Sequence, residues 1–157
     1  MKLWDKGFST DQKIDHFTVG NDRALDLLLA KYDVIASKAH AKMLGKIGLL
    51  TNAETISLVK ELDNIAETIE HGSFTIEDSF EDMHSKIEFL LTERLGDTGK
   101  KIHTARSRND QVLVAMHLYL KSELKEIKSE TVTLFDLLMD LAEKHNEVLL
   151  PGYTHLQ

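Results

Sequence analysis

Apolar residues recur along most of this chain at helical steps. Leu25, Leu28, Leu29, Tyr32, Ile35, Ala36, Ala39 and Met43 fall three or four positions apart, which predicts one face of a helix stopped by Gly45 and Gly48. Thr51-Asn52-Ala53-Glu54 then reads as a capping box, in which the Thr and Glu side chains each satisfy a free backbone N–H of a helix start. Behind it Ile56, Val59, Leu62, Ile65 and Ile69 form a second stripe closed by Gly72. Met83, Ile87, Leu90, Leu91 and Leu95 form a third, with Gly96 as its stop. No segment alternates with period two, so the pattern predicts an all-α protein.

The last stripe is the longest. Leu113, His117, Leu120, Leu124, Ile127, Thr131, Leu134, Leu138, Leu141 and His145 step by four and three without a break. With its flanks this seam predicts a helix of roughly 38 residues, about 57 Å long. A compact domain of this chain's size has a radius of gyration near ~15 Å and is about 40 Å across. The helix therefore outruns any domain its own chain can build. Its stripe is expected to pack on helices from a further part of the chain, from other subunits, or from both. Val112, Ala115, Met116, Tyr119, Phe135, Leu137 and Ala142 widen the stripe beyond a narrow seam and favour bundle packing over a free dimeric coiled coil. The one proline, Pro151, comes after all of these stripes, so nothing interrupts the helices. Pro151-Gly152-Tyr153-Thr154-His155-Leu156-Gln157 carries no terminating pattern, and the bundle is expected to continue downstream of a truncation.

Composition narrows the function classes. The 157 residues are 42% hydrophobic and 29% charged, the balance of a soluble globular protein. A net charge of −7 argues against a whole-chain grip on nucleic acid or an anionic membrane. The absence of cysteine excludes disulfides, thiolate metal sites and thiol nucleophiles. The longest apolar run, Val112 to Met116, is far too short to span a bilayer, and no signal peptide opens the chain. These features are those of a soluble, cytoplasmic protein.

Candidate chemistry concentrates between Gly96 and Asn109. Lys100, Lys101, Arg106 and Arg108 face Asp97 alone there, a local charge of +3 in an acidic chain. A stretch of this length without periodicity is expected to be a functional or disordered loop. It feeds into the long helix, where Ser107 and Asp110 suit a capping pair and the helix start favours an anion. Two guanidiniums suit a carboxylate or phosphate. A solvated basic loop with an ordinary cap fits the same residues. No nucleotide-binding glycine fingerprint, Walker loop or HExxH pattern is present, and the eight histidines show no metal-like pairing. His40, His71 and His145 read most simply as surface or boundary residues. His84, in Glu81-Asp82-Met83-His84, has carboxylates within a turn and suits either a polarised imidazole or a plain structural role. His155 follows a Pro-Gly turn, a constrained place for a group whose ordinary pKa suits acid–base work.

Two stretches together are recognisable. His103-Thr104-Ala105-Arg106-Ser107-Arg108-Asn109-Asp110-Gln111 and Pro151-Gly152-Tyr153-Thr154-His155-Leu156-Gln157 resemble two of the three conserved regions of the argininosuccinate lyase family. Leu3-Trp4 and Glu81-Asp82-Met83-His84 are similar to that family as well. Fumarases, aspartases and adenylosuccinate lyases share the fold of the superfamily but differ at the Ser-Arg-Asn-Asp-Gln core. The resemblance covers the whole chain but only the first third or so of a family member. It implies an N-terminal helical domain over residues 1–105 with a substrate-binding loop. Residues 106–157 would then be the first long helix and following turn of an incomplete central bundle.

The family cleaves argininosuccinate to arginine and fumarate by β-elimination, without metal or organic cofactor, as a homotetramer whose sites draw three regions from three subunits. By resemblance Ser107, Arg108 and Asn109 bind the succinate part of the substrate and Thr154 holds a carboxylate. His155 takes the acid–base role, and Asp82, His84 and Arg106 support the site. Phe17-Thr18-Val19-Gly20-Asn21-Asp22-Arg23 lacks the serine the family usually carries near an N-terminal Phe-Asn segment, with Asn21 as a possible stand-in. The third region, a glycine- and serine-rich loop with the catalytic serine and a lysine, is not in this sequence, so the chain alone is expected to be inactive. Two other readings use the same residues: a crystallin-like structural protein of the family, and a helical oligomerisation module without a ligand. The Lys-rich, low-aromatic composition argues against the first and the specific Ser-Arg-Asn-Asp-Gln run against the second.

Overall fold

The computed structural model describes residues 11–155, and Leu3-Trp4, Leu156 and Gln157 lie outside that range. Among the described residues six α-helices follow one another: α1 (Gln12–Val19), α2 (Asp22–Lys46), α3 (Asn52–Glu70), α4 (Met83–Leu95), α5 (Asp97–Lys100) and α6 (Arg108–Lys144). A 3-10 turn, Lys101–His103, joins α5 to the segment before α6. Among the described residues there is no β-strand, as the hydrophobic period predicts. The chain divides into two compact units, one up to Tyr119 and one from Leu120.

In the first unit α2 lies along α3, and α4 packs on both. Leu44, Leu58, Leu62, Ile65, Met83, Ile87 and Leu91 are almost wholly out of solvent and form the centre of one core. Burying a side chain of this size contributes about 1.5–3 kcal/mol. The α3 start is the predicted capping box: Thr51 Oγ1 accepts from Glu54 N at 3.2 Å, and Glu54 Oε2 accepts from Thr51 N at 2.9 Å. Met83, Ile87 and Leu91 of the α4 stripe are buried as its spacing predicts, and Leu90 and Leu95 are half-buried against the same core.

The α2 stripe differs. Leu25, Leu28 and Ile35 are more than half exposed, and Met43 is exposed too. Of the eight residues expected to face the core, only Tyr32 is buried. The inward face is instead Ala30, Asp33, Val34, Ser37, Ala41 and Leu44, with the same three-and-four spacing. This helix has two apolar faces, and the buried one is narrower, small-residue and interrupted by two polar side chains. Small residues let the helices approach closely, which a purely hydrophobic count does not register.

The stretch after Gly96 is also more ordered than a loop. Gly96, at φ +59°, reverses the chain after α4, and α5 begins at once. Gly99 rests against the α4 backbone so closely that a Cβ there would lie 2.1 Å from the Leu91 carbonyl oxygen. Ile102 is buried in the core cluster. Contacts with α2, α3 and α4, not local periodicity, hold this segment.

In the second unit the residues of α6 from Leu124 to Lys144 are all exposed, the apolar stripe included. No helix among the described residues is long and apolar enough to cross a membrane.

Candidate functional site

The first turn of α6 caps itself. Ser107 N and Oγ donate to Asp110 Oδ2 at 2.8 and 2.9 Å, and Asp110 N donates back to Ser107 Oγ at 3.3 Å. The backbone and side-chain bonds from Ser107 hold the Asp110 carboxyl below its ordinary range. The expected capping pair is therefore formed, and Ser107 and Asn109 stand exposed on this turn.

The flanking arginines turn to different helices. Arg108 faces α4: Nη2 donates to Ser85 Oγ at 3.3 Å, and Nη1 lies 3.3 Å from Glu88 Oε1 and donates to Gln111 Oε1 at 2.9 Å. Its Nε lies 3.7 Å from Asp82 Oδ2. Asp82 in turn caps α4, its Oδ1 accepting from Ser85 N at 2.7 Å. Arg106 faces α2, with Nη1 donating to Ser37 Oγ at 3.2 Å. Burial pushes its guanidinium below the usual arginine value, against the pull of Asp33 and Glu88.

The expected excess of positive charge is largely met inside the protein. Lys100 pairs with Asp97 at 2.8 Å, Lys101 with Glu54, and Arg108 with Glu88. A substrate anion would add to or compete with these carboxylates, so the segment is not an open basic loop.

His84 is buried, and its carboxylate partner is not a sequence neighbour. Its Nδ1–H donates to Asp33 Oδ1 at 2.9 Å, across 51 residues of sequence and from α4 to α2. Asp26 of α2 also reaches α4, accepting from Met83 N at 3.0 Å. Burial raises the Asp26 carboxyl above its ordinary value. His40 Nε2 bonds the Thr104 carbonyl at 2.9 Å, and burial lowers its imidazole. A pocket of about 290 Å³ opens between α2 and the start of α6, with Ala39, His40, Met43, Arg106 and Gln111 among its walls. His71 sits at the α3 C-terminus with Nδ1 on the Glu67 carbonyl at 2.7 Å, and His145 is exposed. Asn21 precedes α2, and its side chain makes no capping bond.

Asp82, His84, Arg106, Ser107, Arg108 and Asn109 all belong to the first unit, while Thr154 and His155 belong to the second and are exposed. Among the described residues two that are not glycine have positive φ, Ala105 at +58° and His155 at +51°. One falls in each of the two stretches singled out by sequence. Backbone strain of about 1–3 kcal/mol persists only where surroundings enforce it, and such residues gather at functional sites. Sequence reading missed Asp33, Ser37 and Glu88. The available signal was the polar pair Asp33 and Ser37, four apart within a small-residue stripe of α2. Among the described residues no group of three His, Asp or Glu is placed to hold a metal ion.

A family model described as "Lyase" matches residues 7–157. Argininosuccinate lyase of Phocaeicola vulgatus is 53% identical over 156 residues, 99% of this chain and 35% of that protein. The argininosuccinate lyase of Thermotoga neapolitana is 46% identical over 154 residues, 98% of this chain and 39% of the relative. That of Xanthomonas oryzae pv. oryzae is 46% identical over 156 residues, again 99% of this chain and 36% of the relative. The chain thus spans about a third of the length of the curated relatives it matches.

Proposed function

The chain belongs to the lyase family, and on that premise we propose that it forms the N-terminal part of an argininosuccinate lyase serving arginine biosynthesis in the cytoplasm. The reaction is a β-elimination. A proton leaves the carbon beside a carboxylate of the succinate part, the C–N bond to the guanidino nitrogen breaks, and that nitrogen leaves protonated within arginine. The carbon–carbon double bond left behind makes fumarate. Negative charge builds on the carboxylate in the transition state, and fixed donors aimed at it lower the barrier most in a dry site.

Ser107, Arg108 and Asn109 bind the succinate part in this reading. Arg108 gives a fork already oriented by Ser85 and Gln111, so little reorganisation is left for the reacting complex. Thr154 holds a carboxylate and His155 moves a proton through a hydrogen-bonded partner. Asp82 and His84 support the site by setting the first turn of α4, and Arg106 by setting the segment ahead of Ser107. Residues 1–105 form the N-terminal domain and 106–157 the first part of the central bundle of a homotetramer. No metal or organic cofactor enters the reaction. The proton-abstracting serine would come from a region beyond these residues, so this polypeptide alone is inactive.

The observation that carries the reading is the helix start at Ser107–Gln111: it caps itself, leaves Ser107 and Asn109 exposed, and has Arg106 and Arg108 held by α2 and α4. The test is fumarate release from argininosuccinate, followed by ultraviolet absorbance, for this polypeptide and for the full-length gene product. Activity in the longer protein alone is the expected result. Silence in both, with normal tetramer assembly, overturns the reading.

A further inference from the structure

Two groups of opposite charge beside neighbouring turns of α2 each keep buried polar atoms without a hydrogen bond. Asp33 is wholly buried; its Oδ1 accepts from His84, while its Oδ2 has no hydrogen bond. Arg106 reaches the same helix one turn later, at Ser37, and its Nε and Nη2 are out of solvent and unmatched. Asp33 and Ser37 are four residues apart on α2, so their side chains lie one above the other on one face. The deficits are complementary: one carboxylate oxygen lacks a donor, and two guanidinium N–H groups lack an acceptor. Buried polar atoms without partners are costly, and a charge-assisted pair is stronger than the contact with a serine hydroxyl.

We propose that Asp33 is a positioning residue for the site: its Oδ2 takes the Arg106 guanidinium while its Oδ1 keeps His84. One buried carboxylate then ties the segment before α6 to α2 and, through His84, to the first turn of α4. Arg108 is held by that same turn of α4, at Ser85. Both arginines that bracket Ser107 therefore end on one frame. Ala105, just ahead of Arg106, keeps its left-handed φ of +58° because the chain is anchored on its far side. The effect on turnover rests on the lyase reading above; the anchor itself does not.

The test is a double-mutant cycle in the full-length protein, read by thermal unfolding and by kcat and KM for argininosuccinate. Asp33→Asn is nearly isosteric. Its amide oxygen still accepts from His84, but an NH2 group replaces Oδ2 and meets Arg106 donor to donor. Arg106→Met removes the guanidinium. A misplaced Ser107–Asn109 turn should lower kcat about 10²-fold in Asp33→Asn, with KM changed far less. The double variant should be no worse than the worse single in either Tm or kcat.

Additive losses in Tm overturn the anchor, whether or not the wild type turns over. Coupling in Tm with kcat unchanged in Asp33→Asn overturns the positioning role. Should Asp33→Asn not fold, recovery of the fold in the Arg106→Met background supports the anchor, and failure there overturns it. A wild type silent towards argininosuccinate, with the Tm cycle still coupled, brings down the lyase reading and leaves the anchor standing.

Discussion

Leu62 and Leu134 each sit in a helical stripe of three-and-four spacing, yet Leu62 is fully buried and Leu134 is 56% exposed. The contrast holds for the regions around them. Up to Tyr119, helices α2, α3 and α4 cover one another and enclose a core; from Leu120 no described residue is buried. Amphipathic periodicity says which side of a helix wants cover. It does not say whether the same chain provides it. Among the described residues, the second region thus carries the apolar stripe without the burial that covers the stripes of the first.

The largest expected effect tests whether both regions serve one chemistry. In the full-length protein, Arg108→Ala, in the first region, should lower kcat/KM by at least about 10²–10³-fold while its assembly state is unchanged, as for the loss of one preorganised donor. His155→Asn, in the second, should lower it similarly and remove one limb of the pH–rate profile. Unaltered kinetics in either variant would take that region out of the site.

Packing gives the next contrast. Leu62→Ala should cost about 2–5 kcal/mol in denaturant unfolding, because a buried side chain leaves a cavity. Leu134→Ala should change the unfolding free energy of this polypeptide by less than about 0.5 kcal/mol. In the full-length protein the second value should rise towards the first. If it does not, the stripe is not covered there and the bundle assignment of residues 106–157 fails.

The smallest effects belong to the α3 start, a feature with no counterpart in the second region. Thr51→Ala should cost about 1 kcal/mol through loss of the cap. Hydrogen bonds from Lys101, and then from Thr51, hold the Glu54 carboxyl at about 2, below its ordinary 4.5. A depressed carboxylate stabilises the fold above its ordinary pKa and loses that contribution as pH falls from 4.5 towards 2. Lys101→Met should therefore be less stable than the wild type at neutral pH, and the gap should narrow across that acid window in a melting series. A constant gap would remove Lys101 as the cause.

Much of this was legible in the order of residues. The helical class, the capping box at Thr51–Glu54, the α4 stripe, the Gly96 stop and the Ser107–Asp110 pair all rest on interactions within about one turn, where spacing is geometry. The Ser107–Gln111 run was equally plain, being contiguous. The inward face of α2 was not. Its apolar residues lie on two sides, and the choice between them depended on which side the rest of the core could approach closely, past the small residues Ala30, Ser37 and Ala41. Nor was the segment after Gly96, whose short helix is held by Gly99 resting on Leu91.

For the site the division is similar. Sequence by itself determined which groups are offered: two arginines, a serine and an asparagine at a helix start, and a histidine after a Pro-Gly turn. Only the tertiary structure decided that Arg108 turns to Ser85 and Glu88, that Arg106 turns to Ser37, and that the carboxylate beside His84 is Asp33. These partners are 20 to 69 residues apart in sequence. No local rule relates such positions, because they meet only when the burial of α2, α3 and α4 against one another brings them into hydrogen-bond range.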